Sequence, residues 1–167
     1  MVSCSSSYGN NGCGGGWYYW GWDYSVVTPL TTESSYPYTS GTFGITKQCA
    51  YQNNGTYYDQ SQTDVASNTT AIKNAIAMQP VAVAVEADTS TFQSYSSGVI
   101  TSAACGTNID HAITAVGYGT SGTTGYYIVR NSWGPTWGDN GYVNIGQASG
   151  AGICGINQYV AYPTVKA

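Results

Sequence analysis

Asp110-His111-Ala112-Ile113-Thr114-Ala115-Val116-Gly117-Tyr118-Gly119 is followed, after a Gly/Ser/Thr-rich run, by Tyr127-Ile128-Val129-Arg130-Asn131-Ser132-Trp133-Gly134. Residues 111 to 118 and 126 to 130 are rich in β-branched and aromatic side chains, and Gly119 to Gly125 between them reads as a hairpin loop. The single histidine, His111, begins the first strand, and Asn131 follows the second. Their midpoint falls at residue 121, inside the expected turn, so antiparallel pairing brings them to about the same level. Directly opposed residues have Cβ atoms roughly 4.5 to 5.5 Å apart, within reach of an amide-to-imidazole hydrogen bond. An orienting group on one ring nitrogen leaves the other for proton transfer. A lone histidine on a strand is, taken alone, more often a satisfied half-buried residue than a catalyst.

Working outward, Val81-Ala82-Val83-Ala84-Val85 alternates as a strand with one large apolar face. Before it, Asn68 or Thr69 caps a helix with Ile72, Ala75 and Ile76 on one face, and Gln79-Pro80 stops it. Trp17, Trp20, Tyr24 and Val27 recur at near-helical spacing as the core face of an earlier helix that ends at Thr28-Pro29. Cys4 to Gly16 is Ser/Gly/Asn-rich loop, and Tyr36-Pro37-Tyr38 to about residue 66 reads as extended loop. Helices come first and strands second, which argues an α+β fold with the two kinds of structure segregated along the chain.

Composition excludes several functions. The 167 residues carry 8 acids and 4 bases, a formal net charge of −4, so no positive field draws phosphate backbones. Nucleic acid is excluded as a partner on this ground. The longest apolar run, Val81 to Val85, is far short of the roughly 20 residues that span a bilayer. Five cysteines without a C-x-x-C pair disfavour zinc and fit disulfides in an oxidising compartment. Asn54-Gly-Thr and Asn68-Thr-Thr are glycosylation acceptor patterns. Met1-Val-Ser-Cys is not itself a secretory signal. Together these features point to a protein that is secreted, or sent to a lysosome or vacuole, with its natural N-terminus upstream. No metal or other cofactor is expected.

The succession Asp110-His111-Ala112, Gly117-Tyr118-Gly119, Asn131-Ser132-Trp133-Gly134, Trp137-Gly138 and Asn140-Gly141-Tyr142 closely resembles the papain and cathepsin family of cysteine peptidases. The likeness extends to Val2-Ser3-Cys4, Gly12-Cys13 with Gly15-Gly16, Tyr36-Pro37-Tyr38, Cys154-Gly155 and Tyr162-Pro163. It implies a two-lobe α+β fold: residues 1–60 from a helical lobe, incomplete here, and 61–167 forming an antiparallel, barrel-like lobe, with the active-site cleft between them. By the same resemblance His111 is general base and acid, Asn131 orients its ring, and Trp133 shields their hydrogen bond. Gly15 and Gly16 line the cleft with backbone groups for an extended peptide. Ala112 and Tyr159 border the pocket for the second side chain before the cut. Cys4 pairs with Cys49 and Cys105 with Cys154, which leaves Cys13 without its usual partner.

The resemblance also exposes a departure. The family needs a thiolate nucleophile, held in a C-G-S-C-W-like segment well before the histidine, and an oxyanion-hole glutamine in the same stretch. Neither occurs in these 167 residues. Cys13 lies only 98 residues before His111, and its Gly-Cys-x-Gly-Gly setting matches the family's disulfide cysteine. Three functions follow. One is a cysteine endopeptidase, inactive as this chain alone, acting on peptide or protein substrates and open to inhibitors, with the missing segment supplied elsewhere, even by a separate chain. Another is a non-catalytic extracellular module packed among neighbours in an assembly. The last is a regulator that holds peptide without cutting it.

Overall fold

The computed structural model describes residues 1–166, which divide into two compact units. One runs Met1–Thr63 and takes in the chain from Pro163 onward; the other is Asp64–Tyr162. The sequence division of 1–60 and 61–167 differs in giving the C-terminal residues to the second unit.

The first unit is short on regular structure. Its helix α1, Tyr18–Val27, buries Gly21, Tyr24 and Ser25. Of the expected core face, Tyr24 is buried, only 7% exposed, whereas Trp20 is 37% and Val27 63% exposed. Aromatics surround α1, so the spacing that suggested one face fits several. The small residues Gly21 and Ser25 are buried beside Tyr24, and Ser25 Oγ donates to the buried Asp59 carboxylate. A disulfide joins Cys4 to Cys49, with Cα atoms 4.8 Å apart. Strand β1, Tyr58–Asp64, was expected to be loop. Its sequence YDQSQTD buries only Asp59, so it carries none of the apolar alternation that marks a half-buried strand.

The second unit holds the main core. Helix α2, Thr69–Met78, starts where Asn68 Oδ1 accepts the Ala71 N–H, and buries Ile72, Ala75 and Ile76. Strand β2, Val81–Val85, pairs antiparallel with β3, His111–Ser121, in the register Val81↔Ala115 to Val85↔His111. On its other side β2 meets β6, Val160–Lys166, through Val83↔Val160. Strand β4, Thr124–Arg130, joins β3 to β5, Tyr142–Gly146. Being central, β2 is buried on both faces at Val83 and Ala84, beyond the one face that alternation suggested. The short helix α3, Ser90–Gln93, sets Phe92 wholly inside. Cys105 and Cys154 form the second disulfide across 49 residues.

Candidate active site

The β3–β4 hairpin decides the site. It closes through a two-residue turn, Gly122-Thr123, rather than the seven-residue loop expected, because Gly122 adopts φ +58°. From the turn the register runs Ser121↔Thr124 to Gly117↔Ile128, then changes to Ala115↔Val129 and Thr114↔Arg130. Val116 is the extra residue of a β-bulge. Without the bulge the turn-end register would set Thr114 opposite Asn131, and His111 would point to the other face of the sheet. The bulge restores the parity: Ile113 falls opposite Asn131, and His111 lies diagonal to it on the same face. The two are therefore diagonal neighbours rather than directly opposed, a span that ring and amide side chains bridge.

His111 Nε2 lies 2.8 Å from Asn131 Oδ1. The same oxygen accepts the Ser132 N–H at 2.7 Å. Turning the amide over would set its NH2 against that N–H, so the oxygen belongs where it is. Facing an acceptor, Nε2 of the neutral ring carries the proton, and Nδ1 keeps a bare lone pair. Asn131 is 7% exposed, and its Nδ2 is buried with no partner among the described residues. Asn131 is held from behind by its own N–H, which donates to the Gly141 carbonyl at 2.9 Å.

Trp133 lies over the pair, its ring 5.1 Å from the imidazole centroid and inclined 29° to it. An aromatic stack fixes the indole: Phe92 meets Trp133 edge-on at 5.6 Å and lies against Trp137 at 5.2 Å. Trp137 Nε1 donates to the Gln93 carbonyl at 3.0 Å. The buried Phe92 is a support that the sequence reading missed, since one phenylalanine in a Ser/Thr-rich stretch carries no periodic signal.

The other expected site residues lie as follows. Ala112 is exposed on β3 opposite Ala84, whose N–H donates to the Tyr159 carbonyl at 3.2 Å, so Ala112 and Tyr159 lie on either side of strand β2. Gly15 and Gly16 lie in the first unit. Gly15 already uses its N–H on Gly12 and its carbonyl on Asn11. A side chain at Gly16 would overlap Asn10, whose Oδ1 accepts the Trp17 N–H at 3.0 Å. The cysteines pair as Cys4–Cys49 and Cys105–Cys154, and Cys13 is free and exposed. Asn54 and Asn68 are exposed.

A histidine held at Nε2 by a buried asparagine and covered by an indole can use Nδ1 for proton transfer. Residues 1–164 match the family model of the papain family cysteine proteases. The chain belongs to that family. Germination-specific cysteine protease 1 of Arabidopsis thaliana is 42% identical over 98% of this chain and 44% of its own length. Digestive cysteine proteinase 3 of Homarus americanus is 39% identical over 99% of this chain and 51% of its own. Among solved structures, the bromelain protease of Ananas comosus, in complex with the E64 inhibitor, superposes with a TM-score of 0.86 at 33% identity, covering 98% of this chain and 74% of that one. This papain-family chain thus has the papain-like α+β fold, and it spans about half the length of the curated relatives it matches. Among the described residues no helix is long and apolar enough to cross a membrane.

Proposed function

We propose that this chain is the proton-transfer part of a papain-type cysteine endopeptidase. His111 takes the proton of a cysteine thiol through Nδ1 and later returns one to the leaving amine. Asn131 holds the ring in the Nε2–H tautomer, and Trp133 keeps water from that bond. The observation that carries this reading is the 2.8 Å contact between Nε2 and a doubly accepting Oδ1, which leaves Nδ1 unengaged. Gly15 and Gly16 offer backbone groups to an extended peptide, the Gly15 N–H and carbonyl being also bonded to Gly12 and Asn11. Ala112 and Tyr159 bound the subsite for a side chain before the scissile bond.

The nucleophile and the oxyanion glutamine are proposed to come from sequence outside these 167 residues. Four of the five cysteines are bonded to one another, and Cys13 has the setting of a disulfide partner. The test is complementation. Residues 1 to 167 alone should cleave no peptide, and joining a C-G-S-C-W-bearing segment, covalently or in trans, should bring thiol-dependent cleavage. Secretion or delivery to a lysosome or vacuole, with sugar on Asn54 or Asn68, belongs to the same proposal, since disulfides need an oxidising route.

The other reading is a non-catalytic extracellular module built on the same fold. A natural upstream sequence with another residue at the nucleophile position would decide for the module.

A further inference from the structure

Glu86 follows β2 and is only 8% exposed, a carboxylate drawn almost wholly inside. Its Oε2 accepts the Asn108 N–H. Its carboxyl group also occupies the place of a side chain at Gly106, where an added Cβ would overlap all three carboxyl atoms, Oε1 the farthest at 2.6 Å. Gly106 has φ +75°, a conformation that L side chains rarely adopt. Glycine there is required twice over, by its backbone angle and by the glutamate.

The contact is answered in the opposite direction. Asp110 Oδ1 accepts the Ala87 N–H at 2.7 Å, and Oδ2 accepts the Asp88 N–H at 3.1 Å. The Asp110 N–H donates to the Val85 carbonyl at 3.1 Å, and the Glu86 N–H to the Cys154 carbonyl at 2.9 Å. Residues 86–88 and 106–110 are thus clasped both ways, beside the Cys105–Cys154 disulfide. The next residue is His111, paired with Val85.

We propose that Glu86, seated against Gly106, is a positioning residue for His111: by fixing residues 106–110 it sets the path on which the imidazole meets Asn131. Glu86 touches neither ring nor substrate, and it acts through the backbone of that segment. Its catalytic consequence rests on the reading of His111 as the proton carrier. The part glutamate plays is that of an acceptor for one N–H, so glutamine keeps the contact in a weaker, uncharged form. Asp110 uses both oxygens, and asparagine there would set an NH2 against an N–H.

The test uses the full chain with nitrogen-15 in the ring of its one histidine, so a single set of signals reports the Nε2 proton and its exchange. Amide exchange at Asn108 reads the clasp, and amides of Tyr127 and Val129 report the sheet. In E86A and in G106A, exchange at Asn108 and at the His111 Nε2 proton should quicken roughly tenfold to a hundredfold, the range of a hydrogen bond to a charged group. The Tyr127 and Val129 amides should stay unchanged. E86Q, which keeps an acceptor oxygen but not its charge, should quicken exchange only about fivefold, clearly less than E86A, while D110N should resemble E86A. An unchanged His111 signal in E86A, or E86Q behaving as E86A does, overturns the proposal. Should E86A and G106A fail to fold, E86Q and the wild-type protein decide: an Asn108 amide exchanging as freely as an open loop amide overturns it. If the Glu86 variants shift the His111 signal but the chain joined to a C-G-S-C-W-bearing segment cleaves nothing, the peptidase reading fails and this inference stands. If cleavage depends on His111 and E86A leaves its signal alone, this inference fails by itself.

Discussion

Replacing Asn131 by alanine removes one oxygen that serves two donors, the His111 Nε2–H and the Ser132 N–H. Each hydrogen bond contributes about 1 kcal/mol net, and a buried donor left without an acceptor costs about 1 to 3 kcal/mol. Against this, the substitution also deletes Nδ2, which is buried without a partner among the described residues, and so relieves one such cost. His111 is half-buried and Ser132 exposed, so water reaches part of what is lost. The net destabilisation should be about 1 to 2 kcal/mol, read from the urea midpoint at constant slope. The diagnostic change lies in the ring. In the wild-type chain, two-bond proton–nitrogen correlation of the single histidine, at a pH where the ring is neutral, should show the proton on Nε2 alone. In N131A the proton should distribute between Nε2 and Nδ1 and exchange quickly, whereas N131D, which keeps an acceptor oxygen, should hold it on Nε2. A single Nε2–H tautomer in N131A, with the urea midpoint unmoved, would refute the claim that Asn131 orients the ring.

Further outcomes follow from the surrounding packing and charge. Phe92→Ala should cost about 3 to 5 kcal/mol in urea unfolding and release the Trp133 indole, seen as a red-shifted, quenchable emission component. Asn68→Ala removes the α2 cap and should cost about 1 kcal/mol, while Asn68→Asp stays near wild type; a glycan on Nδ2 leaves the capping Oδ1 free and should not change stability by more than about 0.5 kcal/mol. Burial raises the phenol pKa of Tyr24, Tyr95 and Tyr127 above the ordinary value. The folded state then holds its phenolic protons longer than the unfolded chain, so this contribution is full below about pH 10 and is lost as pH rises through the folded values. Thermal melting across that alkaline range should show a falling midpoint, with tyrosinate absorbance at 295 nm lagging that of the denatured chain.

The sequence discloses these features unevenly, and for physical reasons. His111, Asn131 and Trp133 stand in a run of small and aromatic residues specific enough to read directly, and α2 and β2 follow from plain periodicity with a cap and a proline stop. Strand β1 escapes because a polar strand with one buried aspartate has no alternation to detect. The core face of α1 is legible only at Tyr24, because aromatics surround the helix while the small Gly21 and Ser25 take the other buried positions. The bulge at Val116 is illegible for a subtler reason: it reconciles the parity of a two-residue turn with that of the His111 and Asn131 pair, and neither parity shows until the turn is known. Glu86 is hidden too, since a single acid at a strand end reads as a solvated terminus until Gly106 is found beside it.

The central claim is that His111 moves the proton of a cysteine nucleophile. It is tested most directly in the protein carrying its natural upstream sequence, by thiol-dependent hydrolysis of a peptide substrate in wild type and H111A. Proton transfer by a positioned side chain contributes about 10² to 10⁴-fold, so H111A should lose at least that much in kcat while keeping its fold and both disulfides. Cleavage in H111A within tenfold of wild type, or a wild-type protein with no cysteine where the nucleophile belongs, would contradict the account.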